Sequence, residues 1–204
     1  MKIHHSPFSS NARKALMTAL QLGLDPERVN VDLTKGEQRK PEFLSLNPSG
    51  KVPVLVDGDF VLSESHAIMM YLADTTPGQT LYPTELRARA DVNKWMFWSA
   101  NHWGPAIATL NWERLVKKVL GLGEPDAAQV ARGETLFHDF AKVLDAHLAN
   151  REWISGKNVS LADISISCPL MVAVPVQLPL VPYANIQKWF ARVQELESWK
   201  KTGM

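Results

Sequence analysis

Residues 75–83, TTPGQTLYP, separate two stretches in which apolar residues recur with different periods. Before them, short apolar runs alternate with brief helical patterns. After them, only helical spacing remains. Strand and helix periods cannot share one face of one element, so the change predicts two units of different class.

The first unit reads βαβ and then ββα. Residues 2–5 form a short strand stopped by Pro7. Ala12, Ala15, Leu16, Ala19, Leu20 and Leu22 mark a helix over 11–22, and Gly23 stops it. Residues 29–33 alternate as a strand, and polar residues 35–50 read as loop with one helical turn. Two apolar runs, 52–56 and 60–62, are joined through Asp57-Gly58, which predicts a hairpin. Ser63 then caps a helix carrying Ala67, Ile68, Tyr71 and Leu72. Beyond the break, helices are expected over 85–120, 126–150, 160–172 and 185–194. The fold class is an α/β domain followed by an all-helical one: domain 1–77, linker 78–83, domain 84–204. A chain of 204 residues with 46% hydrophobic content suffices for two small domains.

Several function classes are excluded. Lys plus Arg number 22 against 21 Asp plus Glu, a net charge of +1, which argues against a nucleic-acid surface. One cysteine, Cys168, rules out a disulfide framework, a Cys-based zinc site and a CxxC redox motif. Residues 168–181 are the best apolar run, but they contain Pro169, Pro175 and Pro179 and fall short of the ~20 residues that span a bilayer. The N-terminus lacks the apolar centre of a secretory signal. His4, His5, His66, His138 and His147 lack metal-ligand company. The expectation is a cytoplasmic protein with no metal, no membrane contact and no nucleic-acid partner.

Two local signals carry more detail. Ser160-Leu-Ala-Asp163 reads as a capping box that starts a helix and is structural in itself. Pro53 enters a strand, where it removes a ladder donor, so Val52–Pro53 marks a strand start or a special turn. Base rates alone favour a trans bond there.

Read together, SPFSSNARK opening a helix, NPSGKVPVLVDGDFVLSESHAI spanning the hairpin, and SLADISI in the helical half resemble the cytosolic glutathione transferases over essentially the whole chain. The resemblance implies a thioredoxin-like N-terminal domain, a cis Val52–Pro53 bond, an all-helical second domain and a homodimer. It also implies glutathione as co-substrate with no further cofactor. The activating group in that family is tyrosine, serine or cysteine. Tyr71, Tyr82 and Tyr183 lie far from the first strand and Cys168 lies in a core helix, which leaves serine. Alignment with the serine-type pattern of the phi and theta classes places the hydroxyl at Ser9, and Asn11 matches a polar residue of a nu-like bacterial branch. Ser6 and Ser10 stand close by, Ser10 as an ordinary helix cap.

The same resemblance gives glutathione its other contacts. Glu64 faces the γ-glutamyl ammonium, Ser65 its carboxylate, and the Val52 backbone before Pro53 the cysteinyl unit. Gln38, Arg39 and Lys51 fall where the glycyl end is held; His and Lys are more usual at two of these positions. Phe8 with Trp98, His102 and Trp103 are the candidates for the electrophile pocket, expected between the domains. The reaction this implies is conjugation of the thiolate to a small hydrophobic electrophile. The alternatives are disulfide or hydroperoxide reduction on the same fold, or a non-catalytic binding module.

Overall fold

Ile3 is the fully buried residue of β1 (Lys2–His5), a central strand of the first unit. The structure, a computed structural model, describes residues 1–203. After β1 come α1 (Ser10–Gln21), β2 (Glu27–Asn30), a single 3-10 turn at Glu37–Arg39 and the four-residue α2 (Pro41–Leu44). The hairpin strands β3 (Val54–Asp57) and β4 (Phe60–Ser63) and then α3 (Ser65–Asp74) complete this part.

The sheet runs β2-β1-β3-β4, with β2 parallel to β1 and β3 antiparallel to both neighbours. The parallel pair requires a crossover, and α1 supplies it. Because side chains alternate along a strand, adjacent Val54 and Leu55 serve two cores. Leu55 joins Ile3, Ala15, Leu16, Ala19, Ile68 and Leu72, whereas Val54 joins Ala12, Val31, Phe43 and Val52.

The second unit, Pro83–Glu195, is helical. Glu85 caps α4 (Leu86–Trp98), its carboxylate accepting from the Arg87 and Ala88 amides at 3.0 and 2.8 Å. The helix runs on through a π turn at Ser99–Trp103, α5 (Gly104–Asn111), a second π turn at Trp112–Val116 and α6 (Lys117–Leu120). Asp126 caps α7 (Ala127–Leu148) in the same way, and α8 (Leu161–Ser167), a 3-10 stretch at Cys168–Val172 and α9 (Ala184–Gln194) follow. The last helix, α10 (Glu197–Lys200), lies in the first unit.

The capping box is formed. Asp163 Oδ2 accepts from the Ser160 amide at 2.9 Å and from Ser160 Oγ at 2.8 Å. Its Oδ1 accepts from the Ile154 amide at 2.8 Å and Trp189 Nε1 at 2.9 Å. Asp163 is thus the polar hub of the helical unit. Complete burial pushes its carboxyl up to about 6, against the pull of these donors.

Four expectations are corrected. β2 occupies Glu27–Asn30 rather than 29–33, because Asp32 Oδ1 accepts from the Thr34 and Lys35 amides and turns the chain. Ser63 ends β4 rather than capping α3; Glu64 takes the cap position. The helix expected over 85–120 contains two π turns. At the first, Ser99 Oγ donates to the Ser165 carbonyl at 2.9 Å and Trp103 Nε1 to the Ile166 carbonyl at 3.0 Å. Lastly, residues 196–203 fold with the first unit rather than ending the second. Arg13 holds them: its Nη2 donates to the Trp199 carbonyl at 2.9 Å, its Nε to Thr202 Oγ1 at 3.3 Å, and its guanidinium lies 3.5 Å from the Trp199 ring centre.

Candidate active site

The amino end of α1 presents the first polar group. Ser9 has extended backbone (φ −100°, ψ 111°), and its Oγ accepts from the Ala12 amide at 3.2 Å. Ser9 is therefore the cap, and Ser10 is the first helical residue. A hydroxyl carries one proton and two lone pairs, so accepting from Ala12 leaves the Ser9 proton for an acceptor outside. Asn11 is exposed in the first turn, and its Oδ1 accepts from Lys14 Nζ at 3.0 Å.

Val52 reaches this end of α1 from the hairpin. Val52 and Ala12 belong to one buried cluster, and the Val52–Pro53 bond is cis. The loop before it is held by buried Asn47, which donates from Nδ2 to the Lys51 carbonyl at 2.8 Å. Gly50 has φ +62°, and a Cβ there would lie 3.0 Å from the Gln38 carbonyl oxygen and 3.5 Å from Arg39 Nη1. Gln38, Arg39, Gly50 and Lys51 are thus brought together around one close backbone approach. Gln38 Oε1 is buried with no hydrogen-bond partner, which leaves an acceptor pointed at nothing in the protein.

The third piece is the start of α3. Glu64 sits at φ 70°, ψ 113°, a left-handed conformation that costs a non-glycine residue ~1–3 kcal/mol. Its side chain makes no cap hydrogen bond, and the residue is exposed. Strained residues of this kind cluster at functional sites. Ser65, buried, opens the helix, whose amide dipoles favour a carboxylate. Beside it, burial and the Lys14 charge lower the His66 imidazole to about 3, so it is neutral at physiological pH. α1 and α3 pack through the Ala15, Leu16, Ala19, Ile68 and Leu72 cluster, which fixes the two helix starts on one scaffold.

The tyrosines are engaged elsewhere. Tyr71 Oη donates to Asp57 Oδ2 at 2.9 Å, Tyr82 Oη to Met70 Sδ at 3.3 Å, and Tyr183 Oη lies 2.7 Å from His138 Nδ1. Cys168 is fully buried in the second unit.

The electrophile candidates divide. Phe8 is 66% exposed. On the second unit, Trp98 is half-buried and meets Phe140 edge-on at 5.9 Å, and exposed His102 tilts over the same Phe140 at 5.2 Å. Trp103 is corrected: it is fully buried against Phe137, its indole N–H is spent on the Ile166 carbonyl, and it offers no surface to a ligand.

Residues 8–75 match the family model described as glutathione S-transferase, N-terminal domain, and residues 102–197 match the one described as glutathione S-transferase, C-terminal domain. The chain belongs to the glutathione S-transferase family. Among its relatives, Glutathione S-transferase 3 of Zea mays is 35% identical, covering 99% of this chain and 92% of that protein. Glutathione S-transferase hmp2 of Hypomyces subiculosus is also 35% identical, covering 98% and 96%. The crystal structure of glutathione transferase F7 from Populus trichocarpa superposes with a TM-score of 0.91 at 26% identity, covering 98% of this chain and 96% of that one. A structure of glutathione S-transferase-I bound with the ligand lactoylglutathione gives 0.88 at 28% identity, covering 98% and 97%. The first unit of this glutathione S-transferase is accordingly thioredoxin-like. None of its helices is long and apolar enough to cross a membrane, among the described residues.

Sequence reasoning missed Asn47, Lys14 and His66 as parts of this region. Asn47 was legible in principle, since Asn-Pro-Ser-Gly is a turn signal with a hydrogen-bonding side chain. The approach of Lys14 to His66 carries no local signal, because only the packing of α1 on α3 brings them together.

Proposed function

We propose that this protein is a serine-type glutathione transferase. Ser9 donates a hydrogen bond to the glutathione sulfur, and the resulting thiolate attacks a small hydrophobic electrophile. The observation that carries the reading is the Ser9 hydroxyl at the N-terminus of α1, its lone pair given to the Ala12 amide and its proton left for an anion.

A thiol of pKa about 8.5 must be lowered to react at neutral pH. A shift of about two pH units needs ~2.7 kcal/mol. One charge-assisted hydrogen bond of ~1.5–3 kcal/mol and the positive end of α1 together reach that size. The thiol proton is released to solvent. The sulfur lone pair forms the S–C bond, and in a substitution the leaving group departs with the electron pair of the bond it loses. Glu64 and Ser65 hold the γ-glutamyl end, the Val52 backbone the cysteinyl unit, and Gln38, Arg39 and Lys51 the glycyl carboxylate. On the first unit, exposed Phe8 supplies apolar contact for the electrophile.

A homodimer fits the exposed apolar residues on each unit. Phe60 and Val61 lie on edge strand β4, and Leu86 and Phe97 lie on α4. The test of function is conjugation of an activated aryl halide by the purified protein, with a hydroperoxide and a mixed disulfide assayed alongside. Ser9→Ala is expected to lower kcat about 10²-fold, equivalent to ~2.7 kcal/mol, and to move the pH–rate profile alkaline with little change in glutathione affinity. An unchanged profile would reduce Ser9 to a helix cap, and exclusive turnover of the hydroperoxide or disulfide would transfer the assignment to the reductive chemistry.

A further inference from the structure

We propose that Lys14 is a positioning residue for the thiolate: its buried ammonium fixes the Asn11 side-chain amide so that the NH2, rather than the carbonyl oxygen, is presented to the glutathione sulfur. This rests on the functional reading above, takes Asn11 as a second donor to the sulfur beside Ser9, and adds the buried cation behind it, to which the sequence reading gave no role.

The geometry is specific. Lys14 is 3% exposed, and its Nζ donates to Asn11 Oδ1 at 3.0 Å, one turn along α1. A terminal amide can be turned so that either its oxygen or its nitrogen faces a ligand, and only the nitrogen can donate to an anion. An ammonium on Oδ1 settles the choice, because the reversed amide would set NH2 against NH3⁺. It also polarises the amide and strengthens its N–H groups as donors. A buried cation keeps more of its field than an exposed one, so Lys14 adds to the positive potential at this end of α1.

The ionisable neighbours agree. Of the groups on elements packed against α1, His66 of α3 is lowered in part by Lys14. His4 and His5 of β1 are lowered first by burial, and their charged neighbours are Lys2, Glu27 and Arg28 rather than Lys14. On α10, Glu197 pairs with Lys200 at 3.5 Å. On the same helix as Lys14, Arg13 is turned to Trp199 and Thr202. The Lys14 charge thus acts on Asn11 and His66, flanking the two helix starts that receive glutathione.

The test compares Lys14→Met, Lys14→Gln and Lys14→Arg with Asn11→Ala and the Asn11→Ala/Lys14→Met double variant, each checked for folding by circular dichroism. Thiolate absorbance of bound glutathione and the pH profile of kcat/KM give the apparent thiol pKa. Lys14→Met is expected to raise it by about one pH unit and to lower kcat/KM about tenfold below it, with KM for glutathione little changed. Lys14→Arg should restore most of the loss. In the Asn11→Ala background the Lys14 substitution should add little, since the group it positions is gone. The His66 imidazole, followed by NMR, should titrate at higher pH once the cation is removed. If Lys14→Met does not fold, Lys14→Gln in the same cycle carries the comparison. An unchanged pH profile in a folded variant, or a full additional loss in the Asn11→Ala background, would overturn the proposal. If the unsubstituted protein binds no glutathione, the functional reading fails and this one with it. If it binds and turns over but Lys14 changes nothing, only the role of Lys14 falls.

Discussion

Asn47 bridges its own loop twice: Nδ2 donates to the Lys51 carbonyl at 2.8 Å, and Oδ1 accepts from the Ser49 amide at 3.1 Å. These bonds hold Gly50 against Gln38 and set Lys51 and Val52 at the entry to β3. Asn47→Ala leaves a carbonyl and an amide without their partner and should cost ~1–3 kcal/mol. The expected result is a lower urea midpoint together with a higher KM for glutathione. A destabilised variant with unchanged KM would separate the loop from the ligand.

Glu64 lies in a strained backbone conformation with its side chain exposed. Glu64→Ala should weaken glutathione binding about 10–100-fold, the range of a charge-assisted hydrogen bond of ~1.5–3 kcal/mol. The melting temperature should hardly move, since no cap hydrogen bond is lost. Calorimetric titration and a thermal scan of the same sample read both quantities, and equal affinity in the folded variant would return Glu64 to a purely structural position.

The pH dependence of stability has two opposing parts. His66 is lowered to about 3 in the folded protein from an ordinary 6.5. Between these values the unfolded chain binds a proton that the native state does not, so stability is full above 6.5 and declines as pH falls towards 3. Asp163 is raised to about 6 from 3.8. Between these values the native state holds the extra proton, so its contribution declines as pH rises from about 4 to 6. His66→Gln should therefore flatten the acid limb of urea midpoint against pH. The same slope in wild type and variant would show that His66 is not the group that titrates.

Gly133 lies inside α7, where alanine would gain ~1 kcal/mol of helix propensity. A Cβ there would meet Leu110 Cδ2 at 2.9 Å and Leu110 Cγ at 3.0 Å. The close approach of α5 should outweigh propensity, and Gly133→Ala is expected to lower stability by ~1–2 kcal/mol net. A raised melting temperature would mean that Leu110 yields without cost.

The elements that sequence alone determined are those whose signal is local. The α1 repeat from Ala12 to Leu20, the Asp57-Gly58 turn, the Ser160–Asp163 box and the loss of strand signal after residue 83 each depend on spacing within a few residues, and each appears in the fold. Ser9, Val52, Glu64 and Ser65 are singled out by the family resemblance rather than by spacing, and the structure moves the two helix caps from Ser10 to Ser9 and from Ser63 to Glu64. Tertiary structure decided what depends on contacts distant in sequence. Residues 196–203 belong to the first unit because Arg13 receives Trp199 and Thr202, Gln21 receives Ser198 and Arg28 reaches the Lys201 carbonyl. Trp103 is core rather than surface because a π turn directs its indole N–H to Ile166, and no propensity encodes that turn. The tie between Lys14 and Asn11 spans one helical turn and could be drawn from sequence, but the burial that gives it force comes from the packing around α1. Its effect on His66, more than fifty residues away, exists only in the folded chain.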